Sequence, residues 1–193
     1  VPAPGSAKPR WEITTAVLAA NPAAYWRMDD VGSTVRHWAA GPHPGTAVGS
    51  VARLQSGALA DGSVAMGFDG AAGSYVNVAD VSALELSSAV TVEAWVNSDL
   101  IRYGTILERR TPAGLSYRLL YGDNRITFRI EGDIPGGAAQ IQVAPQPGDA
   151  DNWVHLAGTF DGTTLRLYRN GAQVGSAGAA GTLRTGGGTV RIG

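Results

Sequence analysis

Between Val90 and Asn170 apolar and polar residues alternate in short runs. In VTVEAWVN (90–97), Val90, Val92, Ala94 and Val96 share one parity and Thr91, Glu93, Trp95 and Asn97 the other. Successive side chains of a strand point to opposite faces, so the pattern predicts one face in a core and one turned to solvent or ligand. RITFRIE (125–131) repeats it, with Ile126, Phe128 and Ile130 inside. WVHLAGTF (153–160) puts Val154, Leu156 and Phe160 inside and Trp153, His155 and Thr159 outside. TTLRLYRN (163–170) puts Leu165 and Leu167 inside and Arg166 and Tyr168 outside.

The punctuation agrees. Asp161-Gly162 and Asn170-Gly171 supply the positive φ that type I′ hairpins require, and Gly122-Asp123-Asn124 marks a third connection. From Ser88 onward the expectation is a meander of antiparallel hairpins, with no helical room for parallel βαβ units. GDIPGGAAQIQVAPQPGDAD (132–151) holds a weak strand at 139–143 between Gly and Pro. Residues 31–63 read as long Gly-rich connection, with modest strand signal near 46–51. ITTAVLAAN (13–21) carries helical spacing with Pro22 as a stop. VPAPGSAKPRWE (1–12) is Pro-rich and reads as an extended linker, which predicts that something precedes the domain. The fold class expected is all-β, a two-sheet antiparallel sandwich with one short N-terminal helix.

Composition narrows the function. The 193 residues suit one large domain or two small ones. An apolar share of 44% against 16% charged is wrong for a disordered chain. A net charge of −1 lacks the positive excess of a nucleic-acid binder. No apolar run is long enough to span a membrane, and no secretory leader pattern opens the chain. The absence of cysteine excludes a disulfide framework and thiolate chemistry. Lys8 is the single lysine among 15 basic residues. With the many Ala and Gly, this reads as genome composition rather than arginine-mediated recognition.

Six segments carry a resemblance, in order: AVLAANPAAYWRMDD (16–30), VAMGFDGAAGSYVNV (64–78), VTVEAWV (90–96), DNWVHLAGTFDG (151–162), LRLYRNG (165–171) and GTVRIG (188–193). Together they resemble a laminin-G-like domain of the concanavalin A-like lectin/glucanase superfamily, from about Ala16 to Gly193. The resemblance implies a jelly-roll sandwich over 13–193. It also implies a closing strand beyond Gly193, so the expectation is a longer polypeptide or a strand supplied by another segment.

The resemblance bears on chemistry too. Glucanase relatives carry an E-x-D-x-E strand, whose spacing of two puts the carboxylates on one face. The nearest match here is Glu131-Gly132-Asp133-Ile134-Pro135, where Pro replaces the third carboxylate. No nucleophile elbow, zinc-helix motif or phosphate loop is present. His43, in GPHPG, reads as an exposed turn, and His37 beside Trp38 falls in a segment without assignment. The expectation is a domain that is not an enzyme. Many relatives hold Ca²⁺ at a loop rim, which makes Asp29, Asp30 and Asp69 the candidate ligands, with Asn77 and Asp80 as further oxygen donors. Plain turn chemistry is the competing reading for these residues.

The non-core strand faces supply the other candidates. Trp95, Arg118, Arg129, His155 and Tyr168 are the residue types that stack on sugar rings and hydrogen-bond hydroxyls or acidic groups. If their strands are neighbours, they form one platform. Packing is the competing role for Trp95 and His155. The expected function is a carbohydrate-binding or adhesion module of a larger secreted, cell-surface or virion protein, its partner a surface glycan. The alternative is a structural or protein-interaction domain, binding a partner protein in an assembly such as a phage tail.

Overall fold

The computed structural model describes residues 10–59, 61–80, 82–99 and 104–193. Most of the linker read at 1–12 lies outside the described residues. The chain divides into two compact units, Val1–Ala79 with Gly193, and Asp80–Ile192.

The first unit opens with helix α1 (Arg10–Ala19). It starts three residues before the expected Ile13, so Trp11 and Glu12 form its first turn. Five short strands follow: β1 (Thr34–Val35), β2 (Gly45–Val48), β3 (Ala52–Ser56), β4 (Val64–Gly67) and β5 (Tyr75–Val78). Three of them lie in the segment 31–63 read mainly as connection; β2 overlaps the modest strand signal expected near 46–51, and β1 and β3 were not expected. β2 pairs antiparallel with β1 and β5, and β3 with β4. Val35, Val76, Val78 and Met66 are buried. Trp26 and His37 form an isolated antiparallel bridge.

The second unit holds a 3-10 turn (Ser82–Leu84) and ten strands: β6 (Val90–Val96), β7 (Gly104–Thr111), β8 (Gly114–Gly122), β9 (Arg125–Asp133), β10 (Ala138–Val143), β11 (Val154–Phe160), β12 (Thr164–Arg169), β13 (Ala172–Gly178), β14 (Thr182–Leu183) and β15 (Thr189–Ile192). They form two antiparallel arrays. One runs β15-β7-β8-β9-β10, with β14 also on β9, and the other runs β13-β12-β11-β6. The simple meander is therefore corrected. β6 pairs with β11 rather than with β7, and β15 returns to β7. Hairpin signals specify neighbours only across a turn, and these pairings are long-range.

The two arrays face each other across one core. Val90, Val92, Leu156, Leu165 and Leu167 come from the four-stranded sheet, and Leu119, Ile126, Phe128, Ile130 and Ile141 from the other. Every residue assigned inward on β9, β11 and β12 is buried. The close approach of the sheets needs Gly158, where a Cβ would fall inside the Phe128 ring.

Of the two dipeptides expected to form type I′ turns, Asn170-Gly171 does so, and the third connection takes the same form. Asn170 and Gly171 take φ 48° and 82° between Arg169 and Ala172, and Asp123 and Asn124 take 51° and 52° between Gly122 and Arg125. The Asp161-Gly162 turn is shifted by one residue. Gly162, at φ 92°, is the first central residue of a turn closed by Asp161 and Thr164, the place type II′ reserves for glycine. Asp161 instead accepts from the Thr163 and Thr164 amides at 3.0 and 2.9 Å.

Candidate functional site

Strand register builds the outward face of the four-stranded sheet. Trp95 of β6 stands opposite His155 of β11. Two residues along, Glu93, Ala157 and Tyr168 face one another across β6, β11 and β12, and Thr91, Thr159 and Arg166 form the next row. The alternation that buries Val90 and Val92 turns all of these outward. The Trp95 and His155 rings are tilted at 52° with centroids 5.3 Å apart. His155 Nε2 lies 3.4 Å from Glu93 Oε2, and this hydrogen bond holds the Glu93 carboxyl below its ordinary range. Asn170 ties the end of the row, its Oδ1 accepting from the His155 amide at 2.9 Å. His155 is 7% exposed, Trp95 and Tyr168 are half-buried, and Glu93 is exposed. Ala157, the smallest residue in the middle row, is 8% exposed.

Arg118 and Arg129 lie elsewhere. Across the five-stranded array, Arg191, Glu108, Arg118, Arg129 and Gln140 stand opposite one another in a single row. Most of its charge is satisfied within the row and its neighbours. Glu108 sits 2.9 Å from Arg110 and 3.8 Å from Arg118. Arg129 donates to Glu131 Oε1 from Nε and Nη2 at 2.9 and 2.8 Å, and from Nη1 to Gln140 at 3.1 Å. The platform expected as one surface therefore divides. Trp95, His155 and Tyr168 share one sheet, and Arg118 and Arg129 are cross-strand partners on the other. Alternation tells which residues leave the core, not which sheet a strand joins.

Each carboxylate read as a calcium candidate has a local partner. Asp29 pairs with Arg27 at 2.6 Å, Asp30 accepts from the Arg36 amide at 3.0 Å, and Asp69 accepts from the Ala71 amide at 2.9 Å. Among the described residues no three His, Asp or Glu side chains gather into a metal set. The donors as they stand do not fit a calcium cage, which needs six to eight converging oxygens. In the glucanase-like segment, Glu131 is held by Arg129 and, at 3.7 Å, by Arg184.

His43 is not an exposed turn residue. Its ring lies 5.0 Å from that of His37, and its backbone carbonyl accepts from Trp26 Nε1 at 2.9 Å. Sequence reading named His37, Trp38, His43 and the Trp26-Arg27 segment singly and missed that Trp26, Arg27, Arg36, His37 and Trp38 gather. The available signal was density: three aromatic rings and two guanidiniums within 13 positions.

A laminin-G family model, described as the concanavalin A-like lectin/glucanases superfamily, matches residues 69–193. The chain belongs to the concanavalin A-like lectin/glucanase superfamily. Solved structures share the fold of this superfamily member at low identity. The binding domain of Paraclostridial Mosquitocidal Protein 1 is 13% identical with a TM-score of 0.65, over 91% of this chain and 48% of that one. The binding domain of botulinum neurotoxin DC, solved in complex with rat synaptotagmin II, is 11% identical with a TM-score of 0.58, over 90% and 47%. A structure of botulinum neurotoxin type C, whose cell entry depends on interaction with two ganglioside molecules, is 9% identical with a TM-score of 0.58, over 92% and 47%. The chain spans under half the length of these three. No curated protein matches it.

Proposed function

We propose that this domain is a non-catalytic carbohydrate-binding module that seats a glycan on the outward face of the four-stranded sheet, and that it serves on an extracellular, cell-surface or virion protein. The observation that carries this is the in-register group Trp95, His155, Glu93 and Tyr168 around the small Ala157. The indole and phenol offer apolar surface to a sugar ring. Glu93 accepts from hydroxyls, and Arg166, paired with Asp161 at 2.6 Å through one nitrogen, donates to them from its remaining N–H groups. The similar solved structures are binding domains, which supports the non-catalytic reading. The gangliosides and synaptotagmin II named for the two toxin structures support a surface receptor as the class of partner.

A glycan array probed with the domain, in calcium and again in EDTA, tests the reading. A specific hit indifferent to EDTA is expected. A hit lost in EDTA assigns binding to a calcium-dependent rim, and no hit from folded protein favours the structural or protein-interaction role.

A further inference from the structure

The first unit contains a cleft that the family match does not reach, since it is built from residues 11–44 and the match begins at 69. Its larger hollow, about 560 Å³, is walled by Trp11, Val31 and Trp38 and edged by Arg27, Asp29 and Arg36. An adjoining hollow of about 290 Å³ shares Asp30 and Arg36 and is backed by His37 and His43. These volumes suit a small ligand.

We propose that this cleft binds an acidic sugar, a pyranose bearing a carboxylate, with Arg36 as its anchor. Trp11 is 67% exposed and Val31 74%, so two large apolar surfaces stand in water at the cleft wall. A sugar ring laid on the indole covers them through its C–H face. Two guanidiniums flank Trp38, Arg27 at 4.4 Å from the ring centroid and Arg36 at 5.2 Å. They differ in what else they meet. Arg27 is paired with Asp29, while Arg36 makes no side-chain ion pair or hydrogen bond among the described residues. Stacking on an indole orients a guanidinium and leaves its edge donors open, a fork that matches a carboxylate. Asp30, tied at one oxygen to the Arg36 amide, lines both hollows. Its charge opposes a bare anion beside Arg36, and its second oxygen favours a ligand that also brings a hydroxyl. The arrangement thus selects a sugar acid over both a neutral sugar and a simple carboxylate.

The test is saturation-transfer NMR with methyl glucuronide, methyl glucoside and acetate as probes. Methyl glucuronide binds, and the other two bind at least tenfold more weakly. Arg36→Gln and Trp11→Ala each weaken the glucuronide at least tenfold. Both side chains are exposed, so melting stays unchanged. Tyr168→Ala, on the sheet face, leaves glucuronide binding intact, which keeps this site separate from the one proposed above. Equal binding of glucuronide and glucoside, or full binding by Arg36→Gln, overturns the assignment.

Discussion

At the residue scale the core is set by side chains that fit without spare room. Phe128 is fully buried and lies under Gly158 of the opposite sheet. Phe128→Ala is expected to cost about 3–5 kcal/mol in chemical denaturation, the transfer loss plus the cavity left behind. A silent substitution would mean that the register of β9 is wrong. Tyr121 behaves differently. It is 3% exposed, its hydroxyl has no hydrogen-bond partner, and burial pushes its pKa well above the ordinary tyrosine value. Tyr121→Phe removes an unsatisfied buried group, so melting is expected to hold or rise. These inward residues were legible in the sequence because parity alone places them. The partners of His155 and Arg129 were not, because each comes from a strand whose position depends on long-range pairing.

At the element scale, polar ties fix loops that propensity leaves open. Asp149 is fully buried in the loop between β10 and β11. It accepts from Arg169 of β12, with Nε 3.0 Å from each carboxylate oxygen, and from the Gln146 amide at 2.8 Å. Asp149→Ala strands the Arg169 charge. The expected loss is about 3 kcal/mol, at the low end for a broken buried pair because Arg169 keeps some contact with water. No motif announces this pair, since the partners lie 20 positions apart. In the first unit, His37 gives its Nδ1–H to the Gly41 carbonyl at 2.8 Å and keeps Nε2 buried without a partner. Burial holds its pKa below the ordinary histidine value, and nearby His43 adds to this. The unfolded chain therefore takes up the proton first as pH falls. The stability carried by neutral His37 is full above about pH 6.5 and is lost as pH drops through that value, levelling off below the folded pKa. Melting is expected to fall between pH 7 and pH 5, and His37→Phe to flatten part of that fall. An unchanged slope would remove His37 from the account.

At the scale of the whole molecule, alternation and turns made the all-β class and the presence of a sandwich readable. Which strands share a sheet was not readable, because β6 meets β11 across nearly 60 intervening positions. The candidate site suffered from the same gap. Parity turns its residues away from the core, but His155 is nonetheless buried and two of the five belong to the other sheet. The calcium expectation came from family likeness, and the aspartates named for it make local turns and pairs. The strands β1 and β3 escaped, and β2 showed only a modest signal, because strands of two to five residues carry almost no periodic pattern. The central claim is that the outward face of the four-stranded sheet holds a glycan. The most direct measurement is a glycan array read in parallel with wild-type protein and Tyr168→Ala, with the melting temperature of both recorded. The account predicts a specific glycan signal that drops at least tenfold in Tyr168→Ala while the two melt together. An undiminished signal in a folded Tyr168→Ala would contradict it.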